Sequence, residues 1–207
     1  MDTVSISPTL LTERLILRPF TEEDAPDVFA YAKDEETVRY LTWPAHKMES
    51  ESLWAIRTFY QIPGVWAICK KEDGRCIGCI ELRFKEDSVD FGYVLRKDRW
   101  GQGIMTEALS AVLGEAFGHL GVKKVIGGHE CGNNASGAVM RKCGMRWVTH
   151  RDAVQVTEHR RADMEYYEIT DGTWKASYRN GRRATGGQER AINPDIPVAA
   201  PGQDISV

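Results

Sequence analysis

Between Ile104 and Leu120 the apolar residues fall at 104, 105, 108, 109, 112, 113, 116, 117 and 120. On a 3.6-residue helix that spacing makes one continuous stripe, and Gly121 stops it. Upstream, "RLILRPF" (Arg14 to Phe20) alternates apolar and polar residues and halts at a proline, which predicts a strand. Thr21-Glu22-Glu23-Asp24 with Pro26 opens a helix whose apolar face is Val28, Phe29 and Ala32. A second amphipathic helix is predicted over about 49–60, with Leu53, Ile56 and Phe59/Tyr60 at helical spacing and Pro63-Gly64 beyond it. Three strands then follow in meander order, 65–70, 76–84 and 89–95. Asp73-Gly74 and Lys85-Glu86-Asp87 supply the turns between them. After the long helix the pattern predicts a strand at 124–130, a short helix at 136–143 closed by Gly144, and strands at about 145–149 and 161–169.

The order β-α-α-β-β-β-α-β-α-β-β is mixed α/β (α+β in type), without the strict alternation of a doubly wound sheet. With 207 residues the chain has room for one well-cored domain, expected over 10–174. Past Trp174 the composition turns Gly-, Pro- and polar-rich with no apolar period, so 175–207 is expected to be a disordered or loosely docked extension. The net charge of −3 gives no electrostatic case for nucleic acid or an anionic membrane. No apolar run approaches the ~20 residues needed to span a bilayer, and the N-terminus lacks the basic and apolar regions of a secretory signal. A cytoplasmic location is expected. Cys76-Ile77-Gly78-Cys79 has C-x-x-C spacing, but no second pair exists. Residues three apart on a regular strand face opposite ways, so these are expected to be core thiols and no metal site is assigned.

Candidate chemistry centres on "DRWGQGIMTEAL", Asp98 to Leu109. The P-loop pattern fails, because Gly103 is followed by Ile104-Met105 and not by Lys and a hydroxyl residue. The dinucleotide pattern G-x-G-x-x-G fails at Thr106. A G-x-G at a helix mouth still turns backbone N–H groups toward one point, where four unpaired donors and the positive helix end favour an anion. Nothing acidic lies between Trp100 and Thr106, so a lysine-free cradle for a pyrophosphate is expected.

The chain carries T-E-R-L-x-L-R at 12–18, the strand end Gly92-Tyr93, W-G-x-G-x-x-T-E-A from Trp100, N-x-x-S at Asn133 and Ser136, and K-x-G-M at 142–145. In that order, over roughly residues 10–174, it resembles the GNAT acetyltransferase superfamily. Within it, the resemblance is to the branch of the ribosomal-protein N-terminal acetyltransferases RimJ and RimL. The resemblance implies a GNAT fold: a central, mostly antiparallel twisted sheet, splayed around an acetyl-CoA site and flanked by helices. Against the family's [QR]-x-x-G-x-[GA] loop, this chain has Trp100 at the first position and Met105 at the last.

By resemblance, Trp100, Gly101, Gln102, Gly103, Ile104, Met105 and Thr106 would hold the pyrophosphate, and the backbone of Tyr93, Val94 and Leu95 the pantetheine arm. Asn133 would bond pantetheine amides, and Ser136 would protonate the departing thiolate; both also suit capping of the short helix. An amide near Val94 or Leu95 would polarise the thioester carbonyl. Asp90, near where some family members keep a glutamate, and Glu130, at a strand end, are the candidate bases. An α-amine with pKa ~8 needs only a weak base or water. Glu81 and His129 are candidates for substrate contact, as is Trp43 in the segment "RYLTWPAHKMESE"; each also has a plain packing role open to it. Glu107 is expected to tie the helix to the loop and to move no proton. The implied activity is transfer from acetyl-CoA to a primary amine, by direct attack, on a peptide or protein N-terminus. A small amine such as a polyamine, aminoglycoside or amino-acid derivative is the alternative, and a non-catalytic acyl-CoA-binding module another. A monomer or homodimer is expected.

Overall fold

The computed structural model describes residues 7–85 and 88–179. The strands are β1 (Leu10–Leu11), β2 (Leu15–Arg18), β3 (Val65–Lys70), β4 (Cys76–Phe84), β5 (Val89–Leu95), β6 (Lys124–Glu130), β7 (Arg146–Thr157) and β8 (Arg160–Thr170). The helices are α1 (Ala25–Ala32), α2 (Glu35–Val38), α3 (Glu49–Ala55), α4 (Ile104–Gly118), α5 (Asn134–Lys142) and α6 (Asp171–Arg179). One eight-stranded sheet runs β1-β2-β3-β4-β5-β6-β8-β7. Every neighbouring pair is antiparallel except β5 and β6.

Alternation along the strands sorts the side chains into two cores, one per face. Trp66 and Ile68 join Leu15, Leu17, Ile80 and Leu82 under Ala108, Leu109, Val112 and Leu113 of α4. Val65, Ala67 and Cys69 face the other way, against Val28, Tyr31 and Ala32 of α1 and Ile56, which follows α3. The stripe read from the sequence is therefore the buried face of α4.

The cysteine geometry departs from expectation. Cys76 and Cys79 lie in the same core with Cys69, on the α1 side. The register explains this: Ile68 opposes Gly78, yet Cys69 opposes Cys76, so β4 carries one extra residue at Ile77. This bulge shifts the alternation by one and brings both thiols to one face. They are still buried, reduced core residues.

Four strands, β3, β4, β5 and β6, form with the expected bounds. Strand β8 forms within one residue of its expected bounds at each end, whereas β7 runs eight residues past its expected end at 149. The β7–β8 hairpin runs from Arg146 to Thr170 with exposed residues along most of β7, so no apolar alternation announces that strand. Helix α6 continues past the expected end at 174, and Trp174 packs on Phe117 of α4, ring centroids 5.6 Å apart. The expectations for Glu86-Asp87 and for the extension from 180 onward lie outside the described residues.

Candidate active site

Strands β5 and β6 pair only at Val89↔Val125 and Asp90↔Ile126. Beyond those two residues they diverge into a fork. On its other edge β5 stays fully paired with β4, from Phe84↔Val89 to Gly78↔Leu95. The Arg96 amide donates to the Ile77 carbonyl at 2.8 Å, so in this antiparallel ladder even-numbered residues of β5 direct their N–H and C=O at β4. Odd-numbered residues direct theirs into the fork. Of these, the Phe91 carbonyl accepts from Arg83 (3.0 Å), and the Leu95 carbonyl accepts from the Trp100 indole (2.7 Å). Both polar groups of Tyr93 and the Leu95 N–H are left facing the opening. This amends one expectation: the Val94 amide is spent on β4 opposite Cys79.

Two aromatic residues shape the fork. A Cβ at Gly127 would lie 2.5 Å from Phe91 Cζ, so the ring occupies the space a side chain would need there. Tyr93 stacks on Phe91 at 5.8 Å and donates its hydroxyl to the Ser136 carbonyl at 3.3 Å, spanning from β5 to α5.

At the open end of β5, a 3₁₀ turn at Lys97–Arg99 leads into the glycine loop. Gly101 (φ 71°) and Gly103 (φ 75°) both take the left-handed conformation that other residues resist. Ile104 and Met105 bury their side chains in the core, which leaves their amides at the mouth of α4. The Glu107 amide donates to the Gly103 carbonyl at 3.0 Å, so the amides of Ile104, Met105 and Thr106, part of the expected donor ring, precede the first intrahelical bond of α4.

The loop has a brace the sequence reading did not assign. Arg14 donates from Nη1 to the Gln102 carbonyl (3.0 Å) and from Nε to Glu107 Oε2 (2.6 Å), and its Nη2 would lie 3.6 Å from a Cβ at Gly103. Glu107 Oε1 accepts from the Thr12 hydroxyl (2.5 Å) and the Arg14 amide (2.8 Å). Burial raises the Glu107 pKa, but these hydrogen bonds outweigh it and hold the carboxyl below the usual range. The phrases T-E-R and T-E-A thus form one clamp, through Arg14 and Glu107, 93 positions apart. Arg14 also sets a guanidinium against the anion cradle.

The other candidates separate clearly. Asn133 accepts from the Ser136 amide at 3.3 Å and so caps α5. The Asp90 carboxylate is held by Arg83 (2.5 Å) and Lys85 (2.7 Å), and Glu81 by Arg83 (2.9 Å). Glu130 pairs with Arg160, whose Nη2 donates to the Leu41 carbonyl at 3.0 Å. That bond brings the 39–46 segment against the end of β6, where a Cβ at Gly132 would meet the Tyr40 hydroxyl at 2.9 Å. Trp43 is half-buried against the α1-side core, its ring tilted against His46 with centroids 5.2 Å apart. His129 does not reach this side. It is buried on the α5 face against Tyr167, and its Nδ1 donates to the Glu130 carbonyl at 2.8 Å.

A V-shaped opening between two parallel strands thus ends at a glycine-lined helix mouth. Residues 14–146 match the acetyltransferase (GNAT) domain model. The chain belongs to the GNAT acetyltransferases. It is 32% identical over 147 residues to the uncharacterized N-acetyltransferase YoaA of Bacillus subtilis, covering 67% of this chain and 83% of YoaA. It is 28% identical over 160 residues to the FsC-acetyl coenzyme A-N(2)-transacetylase of Aspergillus fumigatus, covering 70% of this chain and 68% of that enzyme. A GNAT-family acetyltransferase structure from Bacillus anthracis superposes with a TM-score of 0.73 at 21% identity, covering 80% of this chain and 99% of that one. The chain is an N-acetyltransferase, and acetyl-CoA is its cosubstrate. The residues present fit that molecule: the donor ring and Arg14 suit its phosphates, and the open edge of β5 suits its amide-bearing arm. Among the described residues no helix is long and apolar enough to cross a membrane.

Proposed function

We propose that this acetyltransferase acts on the α-amine of a peptide or protein N-terminus, as in the RimJ/RimL-like branch, within the cytoplasm. One observation carries the choice of acceptor. Two carboxylates of the fork strands are neutralised, Asp90 by Arg83 and Lys85 and Glu130 by Arg160, and Arg160 also binds the Leu41 carbonyl of the segment that carries Tyr40 and Trp43. A polyamine needs several unpaired acids; a single amine on an apolar chain does not. Five free cysteines among the described residues suit a reducing compartment.

Bound acetyl-CoA supplies the acetyl group as an activated thioester. Glycine-loop amides and Arg14 anchor the phosphates. Tyr93 and Leu95 backbone groups orient the arm, and one of their N–H groups donates to the carbonyl oxygen as it gains charge. Glu130 or a water at its carboxylate takes the proton of the attacking amine, and the Ser136 hydroxyl delivers one to the sulfur, regaining a proton from solvent as the base releases its own. Asp90, engaged by two cations, takes no part in this scheme.

The test is CoA release from acetyl-CoA with a panel of peptides and amines. Turnover is expected with free-amine peptides and is abolished when the α-amine is blocked and an internal lysine kept. Turnover on spermidine alone would overturn the acceptor assignment. No CoA release with any amine, alongside thermal stabilisation by acetyl-CoA, would mark a binding module.

A further inference from the structure

Three metal-binding side chains converge where the end of β6 meets the β7–β8 hairpin. Cys131 follows β6 directly, and its amide donates to the Asp163 carbonyl at 2.9 Å. His150 and Glu165 stand opposite each other in the β7–β8 register. Cys131 Sγ lies 3.7 Å from His150 Nδ1 and 3.9 Å from Glu165 Oε1, and the two latter atoms are 3.0 Å apart. Ligand bonds of about 2.3 Å to sulfur and 2.0–2.1 Å to nitrogen and oxygen give tetrahedral edges of about 3.6, 3.6 and 3.4 Å. The observed triangle departs from these by about 0.4 Å at most.

The surroundings are those of a ligand set. His150 Nε2 lies 2.9 Å from Asp152 Oδ1, the carboxylate–histidine pairing that fixes a metal-binding imidazole. The Trp147 indole donates to Glu165 Oε2, leaving Oε1 to face the thiol. Asp152 is brought back to His150 by a bulge between Arg151 and Val154. That bulge holds Ala153 at φ 49°, with its amide donating to Asp163 Oδ1 at 2.9 Å. A non-glycine residue in this conformation costs energy and persists only where its surroundings fix it. The three donors lie 19 and 34 positions apart, which is why their spacing gives no motif.

We propose that Cys131, His150 and Glu165 form a zinc site, with the fourth position open to solvent. The mixed thiolate, imidazole and carboxylate set selects zinc over magnesium or calcium, which prefer all-oxygen shells. Binding expels one proton from the thiol and one from Nδ1, both to solvent. The ion would fasten residue 131 to the hairpin two residues before Asn133. This assignment is independent of the acceptor proposed above.

The test uses the untagged full chain, with zinc content after dialysis and the thiolate-to-metal charge-transfer band of the cobalt(II) form. One equivalent is expected. Cys131→Ser should remove the band and weaken zinc at least tenfold, and Asp152→Asn should weaken it about 10–100-fold. Cys143→Ser, at the end of α5 and outside the site, should keep both. Cys131 is exposed, so Cys131→Ser should melt with the wild type in chelator; should it not, His150→Asn provides the same test. No bound zinc, or an affinity and band unchanged in Cys131→Ser, would overturn the site.

Discussion

Gly103 separates two contributions to cofactor binding, backbone conformation and charge. It sits at φ 75°, and the atom nearest a new Cβ is Arg14 Nη2 at 3.6 Å, an ordinary contact. Gly103→Ala therefore adds no clash and costs only the left-handed backbone, about 1 kcal/mol. In a chain of this size that lowers Tm by about 2–4 °C. Gly103→Glu has the same backbone cost and adds a carboxylate beside the phosphates. At about 5 Å and an effective dielectric of about 20, the repulsion is about 3 kcal/mol, some two orders of magnitude in affinity. Arg14 screens part of this, so two orders is the ceiling. Calorimetric titration with acetyl-CoA should find Gly103→Ala near wild type and Gly103→Glu far weaker, with matching Tm values. Acetyl-pantetheine, which lacks the pyrophosphate, should be acetyl donor to both variants equally. Equal losses in the Ala and Glu variants, or an equal penalty with acetyl-pantetheine, would refute the cradle.

Glu107→Gln should destabilise by about 1–3 kcal/mol in urea, because the clamp on Thr12 and Arg14 loses a charged acceptor. The Glu107 carboxyl titrates lower in the folded chain than its ordinary 4.5, so the folded state binds fewer protons. Its contribution is then complete above about pH 4.5 and fades as the pH falls through the folded value, so the gap between variant and wild type should close in acid. A gap constant with pH would mean that packing, not charge, holds the clamp. Ser136→Ala should lower kcat by about 10²-fold or more with little change in KM for acetyl-CoA, since Asn133 still caps α5. A change in Tm alone would make Ser136 only a helix residue.

The fold was legible where burial writes a period into the sequence. The α4 stripe and strands β3 to β6 pack on one or both cores, and their bounds follow from alternation. Strand β8 was legible, but most of β7 was not, because a strand with both faces largely wet need not alternate. The Ile77 bulge was hidden as well: local pattern cannot show an extra residue that only the partner strand reveals. At the site, the glycines signalled a backbone need that the φ angles bear out. The brace from Arg14 and the neutralisation of Glu130 by Arg160 were invisible, since each joins residues far apart in the chain.

The fork itself rests on a size mismatch. Two parallel strands in register would stay about 4.8 Å apart along their length. Here β5 presents Phe91 and Tyr93 toward the α5 face, where β6 presents Gly127. The Phe91 ring fills the room that Gly127 leaves free, and pairing stops one residue before it, at Asp90↔Ile126. From the opposite face the Arg83 guanidinium crosses over Gly92, at 3.1 Å from the position of a Cβ, to take the Phe91 carbonyl. That carbonyl would otherwise be available to β6. Two glycines, each making way for a neighbour's large side chain, thus end the ladder at a defined residue and keep the edge of Tyr93 and Leu95 open.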